Sequence, residues 1–366
     1  MHRSSLLRGL LALSLLAPVG AQEEVRLSPF KDTTLYEDPD GDTGNGAGQY
    51  MFAGVNGNFE SRRCLLAYPL NSTIPKGSTI HDVTVELFMS KTIVGSFDFA
   101  FHRVTSEWGE GASDALLEEG GGTAAEPGDA TWLHTFYPTD TWTTPGGDFD
   151  PASSGVFVIN DLGKYFLSAP GLLADVEDWV EGDAANHGWL IKQEVEIAEI
   201  SAKRFSTRET PTNFFLPILV VQFTPPVIGT NYCGPAENNS TGGPGAIEAI
   251  GSEVVADNSV ILRASGLPND QFGYFLNSQS QGFVPNPGGS QGNLCLGGGV
   301  GRYVTQVANT GTAGGLQLHL DLASTPTPPG DVAIQPGETW HFTCWFRDLN
   351  PGSTSNFTDG TSVTFQ

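Results

Sequence analysis

The chain has few basic residues, and it lacks an apolar run long enough to span a bilayer. Of its 366 residues, 17 are Lys or Arg and 41 are Asp or Glu, which gives a formal charge of −24. This excess of negative charge repels nucleic-acid phosphates and anionic membranes. Nucleic acid and membrane surfaces are therefore disfavoured as partners, and the acidity is attributed to solubility in an extracellular medium.

Common catalytic motifs are also missing. The sequence contains no H-E-x-x-H, no P-loop and no G-x-G-x-x-G between a strand and a helix. One G-x-S-x-G match lies at residues 288–292, but no helix pattern follows it, so the strained strand-to-helix turn of a serine hydrolase is not expected. These absences disfavour the corresponding enzyme classes.

The N-terminal 21 residues have the pattern of a secretory signal peptide. Arg3 and Arg8 provide the positive start, residues 10–16 the apolar run, and residues 19–21 a small-residue cleavage site. The apolar run is shorter than the roughly 20 residues that a transmembrane helix needs. We expect cleavage after residue 21 and a secreted protein, extracellular or at the cell surface; an uncleaved anchor is the alternative.

A change in composition divides the remaining chain. Residues 22–225 hold 12 basic and 31 acidic residues, whereas residues 226–366 hold three Arg, no Lys and ten acidic residues among many Gly, Asn, Ser and Thr. The length also suits two domains. We predict a domain at 22–225, a short linker at 226–231 and a glycine-rich domain at 232–366.

Both predicted domains are all-β, of sandwich or jelly-roll type. Branched and aromatic residues, in places alternating with polar ones, predict strands at 83–89, 97–104 and 216–223, and again at 259–264, 315–322, 338–346 and 361–365. One helix is expected in the first domain, because Leu172, Val176 and Trp179 recur at helical spacing and Gly182 suits its C-terminal cap. The glycine-rich stretch 282–301 is expected to be a loop.

Four cysteines bound the possible covalent links. An exported protein meets oxidising conditions, so disulfides are permitted. We predict a Cys233–Cys295 bridge, and Cys295–Cys344 remains open. Cys64 and, with the first pairing, Cys344 are expected to pack in hydrophobic cores.

Six sequence blocks in the first domain resemble a known extracellular module, the DNRLRE domain, also classified as carbohydrate-binding module family 96. They lie in the expected order at residues 31–54, 61–89, 102–113, 128–136, 187–191 and 202–209. The resemblance implies a secreted, non-catalytic β-sandwich, often attached to polysaccharide-degrading enzymes or surface proteins. Some members are credited with binding acidic polysaccharides.

The second domain resembles an uncharacterised C-terminal module of exported proteins from aquatic bacteria. The blocks that carry the resemblance lie at residues 232–242, 266–298 and 336–366. This resemblance bears on architecture and setting and implies no chemistry.

Scarce basic residues are the first candidates for ligand binding. A guanidinium group can bind the carboxylate of an acidic sugar through two parallel hydrogen bonds. The candidates are Arg62, Arg63, Lys203, Arg204 and Arg208. Internal ion pairs with the many nearby acidic residues are the alternative.

Aromatic and histidine side chains form a second candidate set, because exposed rings can stack on sugars. The set comprises His102, Trp108, Trp132, His134 and Trp142. Core packing is the alternative for the tryptophans. Glu107 and Glu110 beside Trp108 also allow a hydrolytic carboxylate pair, provided that their separation suits it.

A short acidic loop is the candidate metal site. Asp38, Asp40 and Asp42 present carboxylate oxygens in a glycine-bearing loop, as calcium ligation requires, although the complete EF-hand spacing is absent. A solvated turn is the alternative. No other cofactor is expected.

Taken with the resemblance, these patterns predict a secreted non-enzymatic protein that binds or attaches to an extracellular polysaccharide. A structural or adhesive envelope protein that contacts surface proteins is the second hypothesis. A glycan-degrading hydrolase is the third.

Overall fold

The computed structural model describes residues 21–196 and 199–366. The predicted signal peptide therefore lies, except for Ala21, outside the described residues. The fold is all-β, with 44% of the chain in strands, several antiparallel sheets and a single α helix in the described part. The predicted fold class is thus confirmed. None of the helices in the described ranges has the length and apolar character needed to cross a membrane.

In the described part of the chain before residue 225 there are fifteen strands and the α helix. The strands are β1 (Glu23–Leu27), β2 (Lys31–Tyr36), β3 (Thr43–Gly44), β4 (Tyr50–Val55), β5 (Ser61–Ala67), β6 (Thr79–Thr92), β7 (Phe97–Val104), β8 (Thr123–Ala124), β9 (His134–Phe136), β10 (Asp140–Thr141), β11 (Phe149–Ile159), β12 (Gly163–Leu167), β13 (Trp189–Gln193), β14 (Lys203–Ser206) and β15 (Ile218–Thr224). Helix α1 is Pro170–Glu181, and a 3₁₀ turn spans Asn213–Phe215.

Thirteen further strands follow residue 225. They are β16 (Val227–Ile228), β17 (Thr230–Tyr232), β18 (Ala246–Gly251), β19 (Val260–Ser265), β20 (Phe272–Ser278), β21 (Gln281–Pro285), β22 (Asn293–Leu296), β23 (Gly301–Arg302), β24 (Ala308–Asn309), β25 (Leu316–His319), β26 (Thr339–Leu349), β27 (Ser353–Phe357) and β28 (Gly360–Thr364). Three 3₁₀ turns lie at Val255–Asp257, Pro287–Gly289 and Val304–Gln306.

The first half is built on one curled 11-stranded sheet. Its main path runs β1-β15-β6-β14-β4-β5-β13-β7-β11, with β12 paired to β6 and β2 paired to β5. Strand β6 shows how one face of the sheet lines the core: Val83, Val85, Leu87 and Met89 are buried on that face at the two-residue period of a strand. The same face of neighbouring strands completes the cluster, to which Cys64 belongs.

Helix α1 covers this core as the sequence predicts. Leu172, Val176 and Trp179 are buried in the core cluster. Gly182 ends the helix in the left-handed conformation with φ 78°, and its N–H donates to the carbonyl of Asp178. A glycine suits this position because a Cβ would be strained there.

The second half packs a four-stranded sheet and a seven-stranded sheet around a separate core. The first has the order β16-β18-β19-β25, and the second is centred on β28-β26-β20. In β26, Trp340, Phe342, Cys344 and Phe346 recur at the strand period within the buried cluster. In the described chain, every sheet draws its strands from one side of residue 225.

A disulfide joins Cys233 to Cys295, as predicted, and Cys64 and Cys344 are buried free thiols. The expected loop at 282–301 is wrong in part, since β21 and β22 form a two-stranded ribbon within it. The sequence pattern did not indicate these strands, because their few hydrophobic residues are separated by many glycines. Cys295 in β22 ties the ribbon to the start of the second half.

The segment 226–231 is more regular than a free linker. Val227 pairs with Ile250 in one sheet of the second half, and Thr230 pairs with Ser362 in the other. Two ion pairs also connect the halves: Lys76 Nζ lies 2.9 Å from Asp257 Oδ1, and Arg263 contacts Glu23 through both guanidinium Nη atoms. The connection is therefore held by strand pairing and charge.

Candidate functional site

Three neighbouring strands bring basic residues into one cleft. Arg204 in β14 is in register with Phe52 in β4 on one side and with Lys91 in β6 on the other. Side chains paired in this way across a sheet share a face. The cleft has a volume of about 180 Å³, and Arg62 and Lys203 also contribute to its lining.

An exposed glutamate bridges two of these cations. Glu118 Oε2 lies 2.6 Å from Lys91 Nζ and 2.8 Å from Arg204 Nη1. The side chain of Glu118 is 67% exposed, that of Lys91 51% and that of Arg204 12%. The hydrogen bond from Lys91 and the charge of Arg204 lower the pKa of Glu118. The bridging carboxylate is therefore ionised at neutral pH.

Arg204 is fixed in place independently of Glu118. Its Nε donates to Ser90 Oγ at 2.9 Å, and its guanidinium lies 3.7 Å from the centre of the Tyr50 ring. Contacts of this kind hold a long side chain in one rotamer and reduce the entropy lost on binding. Arg204 therefore presents a preorganised cationic group at the cleft.

The loop that carries Glu118 is anchored by its neighbour. Glu119 is buried, and its carboxylate accepts hydrogen bonds from Asn45 Nδ2 at 3.0 Å and from the Tyr50 N–H at 2.9 Å. Leu116 and Leu117, on the other side of Glu118, are almost fully exposed. The loop thus holds one carboxylate over the basic row while its tip lies in solvent.

Lys203 and Arg62 are less accessible than the sequence suggested. Lys203 is completely buried, and its ammonium group donates to Thr92 Oγ1 at 3.0 Å and to the carbonyl oxygens of Val94 and Gly95 at 3.1 and 2.5 Å. Burial lowers its pKa. Strand alternation explains this position, because Lys203 points to the face opposite Arg204.

Arg62 is also buried. Its Nη2 lies 3.0 Å from Glu60 Oε2, and its guanidinium stacks over the Tyr36 ring at 5.0 Å. Two of the candidate cations in the lining are therefore corrected to structural residues.

Arg63 and Arg208 lie away from the cleft in ion pairs. Arg63 binds both carboxylate oxygens of Glu196 at 2.9 and 2.6 Å and stacks on Trp132 at 4.8 Å. Arg208 binds Glu110 through Nε, at 2.8 Å, and Nη2. The internal pairing considered as the alternative is what the structure shows for both arginines.

The aromatic candidates do not form an exposed platform. Trp108 and Trp142 are buried in a small core beside the main one, and Trp132 is half-buried against it. The indole N–H of Trp108 donates to the carbonyl of His187, and that of Trp142 to the carbonyl of Thr131, both inside the protein. Their placement on a ligand surface is therefore corrected.

The two candidate histidines serve local structure. His134 Nδ1 lies 3.0 Å from Thr131 Oγ1 and 3.1 Å from the Gly41 carbonyl. His102 is buried, and its Nδ1 lies 2.9 Å from the Asp150 carbonyl. Burial lowers the pKa of His102. Both rings position backbone.

The first carboxylate of the acidic loop accepts hydrogen bonds from the loop itself. Asp38 accepts hydrogen bonds from the Asp40 N–H at 3.1 Å, the Asp42 N–H at 3.4 Å and Thr43 Oγ1 at 2.8 Å. These contacts form a closed turn, so the predicted calcium ligands Asp38, Asp40 and Asp42 are corrected to a turn. In the described ranges, the acidic cluster with metal-compatible spacing is instead Asp32, Glu110 and Glu209.

The carboxylates proposed for hydrolysis are both bound to cations. Glu107 lies 2.5 Å from Lys31 Nζ and 2.8 Å from His187 Nδ1. Although partial burial opposes it, these contacts lower the pKa of Glu107. A general acid for glycoside cleavage needs a raised pKa. Glu107 is therefore poorly suited to donate a proton.

Sequence reasoning missed Lys91, Glu118 and the acidic cluster. Lys91 is the penultimate residue of a long strand, more than 100 residues before Arg204, and Glu118 lies in a glycine-flanked loop. The register of β14 with β6 places Lys91 beside Arg204, and the loop after β7 brings Glu118 to both. A search for basic residues on predicted strands could have identified Lys91, but it could not have shown that Glu118 and Arg204 lie beside it.

No family model matches the chain, and no curated protein matches it. Among solved structures, it was aligned with the T=3 Penaeus vannamei nodavirus determined by cryo-EM. That alignment covers 99% of this chain and 96% of the other, at 11% identity and a TM-score of 0.16. Similarity at this level carries no argument about fold or function.

Proposed function

We propose that the protein is a secreted, non-catalytic module that binds an acidic polysaccharide through the cleft between β4, β14 and β6. The observation that carries the proposal is the position of the Glu118 carboxylate, which bridges Lys91 and Arg204. A uronate carboxylate could take this position. The ligand would be an extracellular polymer whose sugars carry carboxylates.

The exchange of one carboxylate for another has a small energetic cost. Exposed ion pairs contribute only about 0–1 kcal/mol, because water screens them and long side chains lose entropy. Replacing Glu118 by a ligand carboxylate therefore costs little. A charge-assisted hydrogen bond is worth about 1.5–3 kcal/mol, but Arg204 already makes one to Glu118, so the exchange gains only the difference between the two contacts.

Overall charge limits how the ligand binds. With a formal net charge of −24, the protein repels a polyanion at long range. The overall electrostatic field therefore does not accelerate association. Binding would depend on short-range contacts in the cleft. We therefore expect modest affinity and a narrow preference for chains whose carboxylates can reach both Lys91 and Arg204.

The resemblance of residues 31–223 to the DNRLRE domain supports the same proposal, because some members of that family are credited with binding acidic polysaccharides. The signal-like first 21 residues support export to the cell surface or the extracellular matrix. Attachment to matrix glycan would be the biological role.

A structural or adhesive role through protein contacts is the second candidate, and the edge of the sheet favours it. Strand β11 is last in the sheet order, so one side of its backbone has no neighbouring strand in the described chain. Val156 and Val158 on this strand are 41% and 57% exposed. Such an edge can pair with a strand of another protein.

The test is binding of the full mature chain to polygalacturonate and alginate, with dextran as the neutral polymer, by isothermal titration. We expect binding to the uronates alone, weakened about tenfold or more by Lys91→Ala or Arg204→Ala, as loss of one charge-assisted contact implies. Glu118→Gln should strengthen binding, because it removes the competing carboxylate.

The matched control is Arg302→Ala, which removes an exposed arginine in the second half, outside the cleft. This variant should bind as the wild type does. Absence of any heat with both uronates, or equal losses in Arg302→Ala and Arg204→Ala, would contradict the proposal. Self-association that disappears when Val158 is changed to Lys would favour the adhesive role.

A further inference from the structure

Three carboxylates from distant parts of the chain meet beside strand β2. Asp32 lies on β2, Glu110 on the loop after β7 and Glu209 on the turn after β14. One carboxylate oxygen from each lies within 4.8 Å of the others. Like charges at this spacing repel each other unless a cation or a proton compensates them.

Two oxygens in the cluster lack protein donors. Asp32 has 0% of its surface exposed; its Oδ2 accepts a hydrogen bond from the Arg208 N–H at 2.9 Å, while Oδ1 accepts none from the described residues. Glu209 Oε2 is also buried and accepts no hydrogen bond from the described residues. A buried carboxylate oxygen left unpaired is costly, so a partner for it is expected.

Arg208 balances only part of the charge. Its guanidinium binds both oxygens of Glu110, and its Nε lies 3.0 Å from Glu209 Oε1. One positive charge thus faces three carboxyl groups.

We propose that Asp32, Glu110 and Glu209 bind one calcium ion. Carboxylate oxygens are ligands for hard divalent cations, and calcium accepts them in flexible geometry. Magnesium demands near-ideal octahedral geometry and usually keeps several waters, so a site assembled from three protein carboxylates suits calcium better.

The three carboxylates would supply the protein ligands of the ion. Asp32 Oδ1 and Glu209 Oε2 accept no hydrogen bond from the described residues, and Glu110 supplies the third carboxylate. Water and backbone carbonyls can complete the six to eight ligands that calcium takes. The ion would neutralise the negative charge of the three carboxylates that the single positive charge of Arg208 does not balance.

Binding at this position would fasten three segments together. The Asp32 N–H already donates to Glu110 Oε1 at 2.8 Å, and the Arg208 N–H donates to Asp32 Oδ2. An ion shared by Asp32, Glu110 and Glu209 would add a second link between the same segments. Because it would bind the folded chain and not the unfolded one, calcium should raise stability.

The test uses the full mature chain after treatment with EDTA. Calcium chloride is titrated by calorimetry, and thermal unfolding is followed with and without the ion, up to about 10 mM because extracellular calcium modules bind in the range of about 0.1–1 mM. We expect one ion per chain and a rise in the melting temperature. Magnesium chloride at the same concentration should give a smaller rise.

Two variants assign the site. Glu209→Gln removes one ligand charge from a partly exposed side chain and should weaken calcium binding about tenfold or more. Asp32→Asn is the second ligand variant, with a far-UV circular dichroism spectrum to show that it folds. Asp38→Asn is the matched control, because Asp38 lies in the separate acidic turn, and it should bind calcium as the wild type does.

Three results would overturn the proposal: no heat and no thermal shift in the wild type, unchanged binding in Glu209→Gln, or loss of binding in Asp38→Asn alone. None of these depends on glycan binding. The cleft variants Lys91→Ala and Arg204→Ala are expected to keep their calcium response, so failure of either proposal can be recognised separately.

Discussion

Asp175 of helix α1 and Arg103 of strand β7 form a double contact, in which Arg103 Nε and Nη2 lie 2.8 and 2.6 Å from the same oxygen, Asp175 Oδ1. The other oxygen accepts the indole N–H of Trp189 at 2.7 Å and the hydroxyl of Ser154. This buried carboxylate joins the only α helix of the described chain to the sheet.

Asp175→Ala should therefore destabilise the first half strongly. It leaves the Trp189 N–H without its acceptor and Arg103 with only Asp178, and breaking a buried ion pair costs about 3–5 kcal/mol. Urea unfolding measured by tryptophan fluorescence gives the change in free energy. Glu177→Ala, an exposed residue on the same helix, is the control and should change it by less than about 0.5 kcal/mol. A loss below about 1 kcal/mol in Asp175→Ala would contradict the assignment.

Lys203→Met should lower stability although it removes no ion pair. The ammonium group of Lys203 is buried and supplies hydrogen bonds to two backbone carbonyls, and their loss costs about 1–3 kcal/mol. Lys91→Met is the matched variant in the next strand. Because Lys91 is half-exposed, we expect a change of at most about 1 kcal/mol. Equal free energies of unfolding for the two variants, measured in urea, would show that Lys203 is not structurally required.

The two free thiols should be unreactive in the folded protein. Cys64 and Cys344 are fully buried, and burial raises the pKa of both thiols. The thiolate is the reactive form, so labelling requires unfolding. Without reductant, a chromogenic disulfide reagent should detect no thiol in buffer and two per chain in guanidinium chloride. Detection of four in guanidinium would mean that Cys233 and Cys295 are not bridged.

Stability should fall as the pH drops below about 6.5, in part through His102. Burial, with smaller effects from the charges of Lys192 and Arg63, lowers its pKa in the folded state. The unfolded chain then gains a proton that the folded chain does not bind. The stability that the neutral, buried His102 allows is therefore fully present above the unfolded pKa of about 6.5. It is lost as the pH falls from that value towards the lower pKa of the folded state.

Urea unfolding of wild type and His102→Gln at pH 7 and pH 5 isolates this effect from other titrations. The decrease between the two pH values should be smaller in the variant. His81→Gln, which alters an exposed histidine, should keep the wild-type decrease. An identical decrease in all three proteins would exclude a contribution from His102.

Local periodicity made much of the fold predictable. The alternation of Val83, Val85 and Leu87 identified β6, and the spacing of Leu172, Val176 and Trp179 identified α1. Such patterns are local, because they record which face of one element is buried. Strand β22 was missed because Leu294 and Leu296 lie in a glycine-rich segment with little alternation.

The candidate sites were less predictable because they depend on pairing between distant strands. Arg204, chosen as a candidate for ligand binding, lines the cleft, whereas Trp108 was placed on the surface although it lies in a core. A tryptophan beside glycines and carboxylates has the same local sequence in either position. Asp32, Glu110 and Glu209 are separated by most of the first half, and no local pattern marks them.

Strand β1 pairs along its full length with β15, from Glu23 opposite Phe223 to Leu27 opposite Leu219. Nearly all of the first half lies between these partners, so during synthesis the earliest strand has to wait for the latest before the sheet can close. Pairing at such sequence distance slows folding. Until β15 is synthesised, the backbone of β1 lacks this partner and can pair with a strand of another chain. Misassembly is therefore most favoured in the period before β15 pairs with β1.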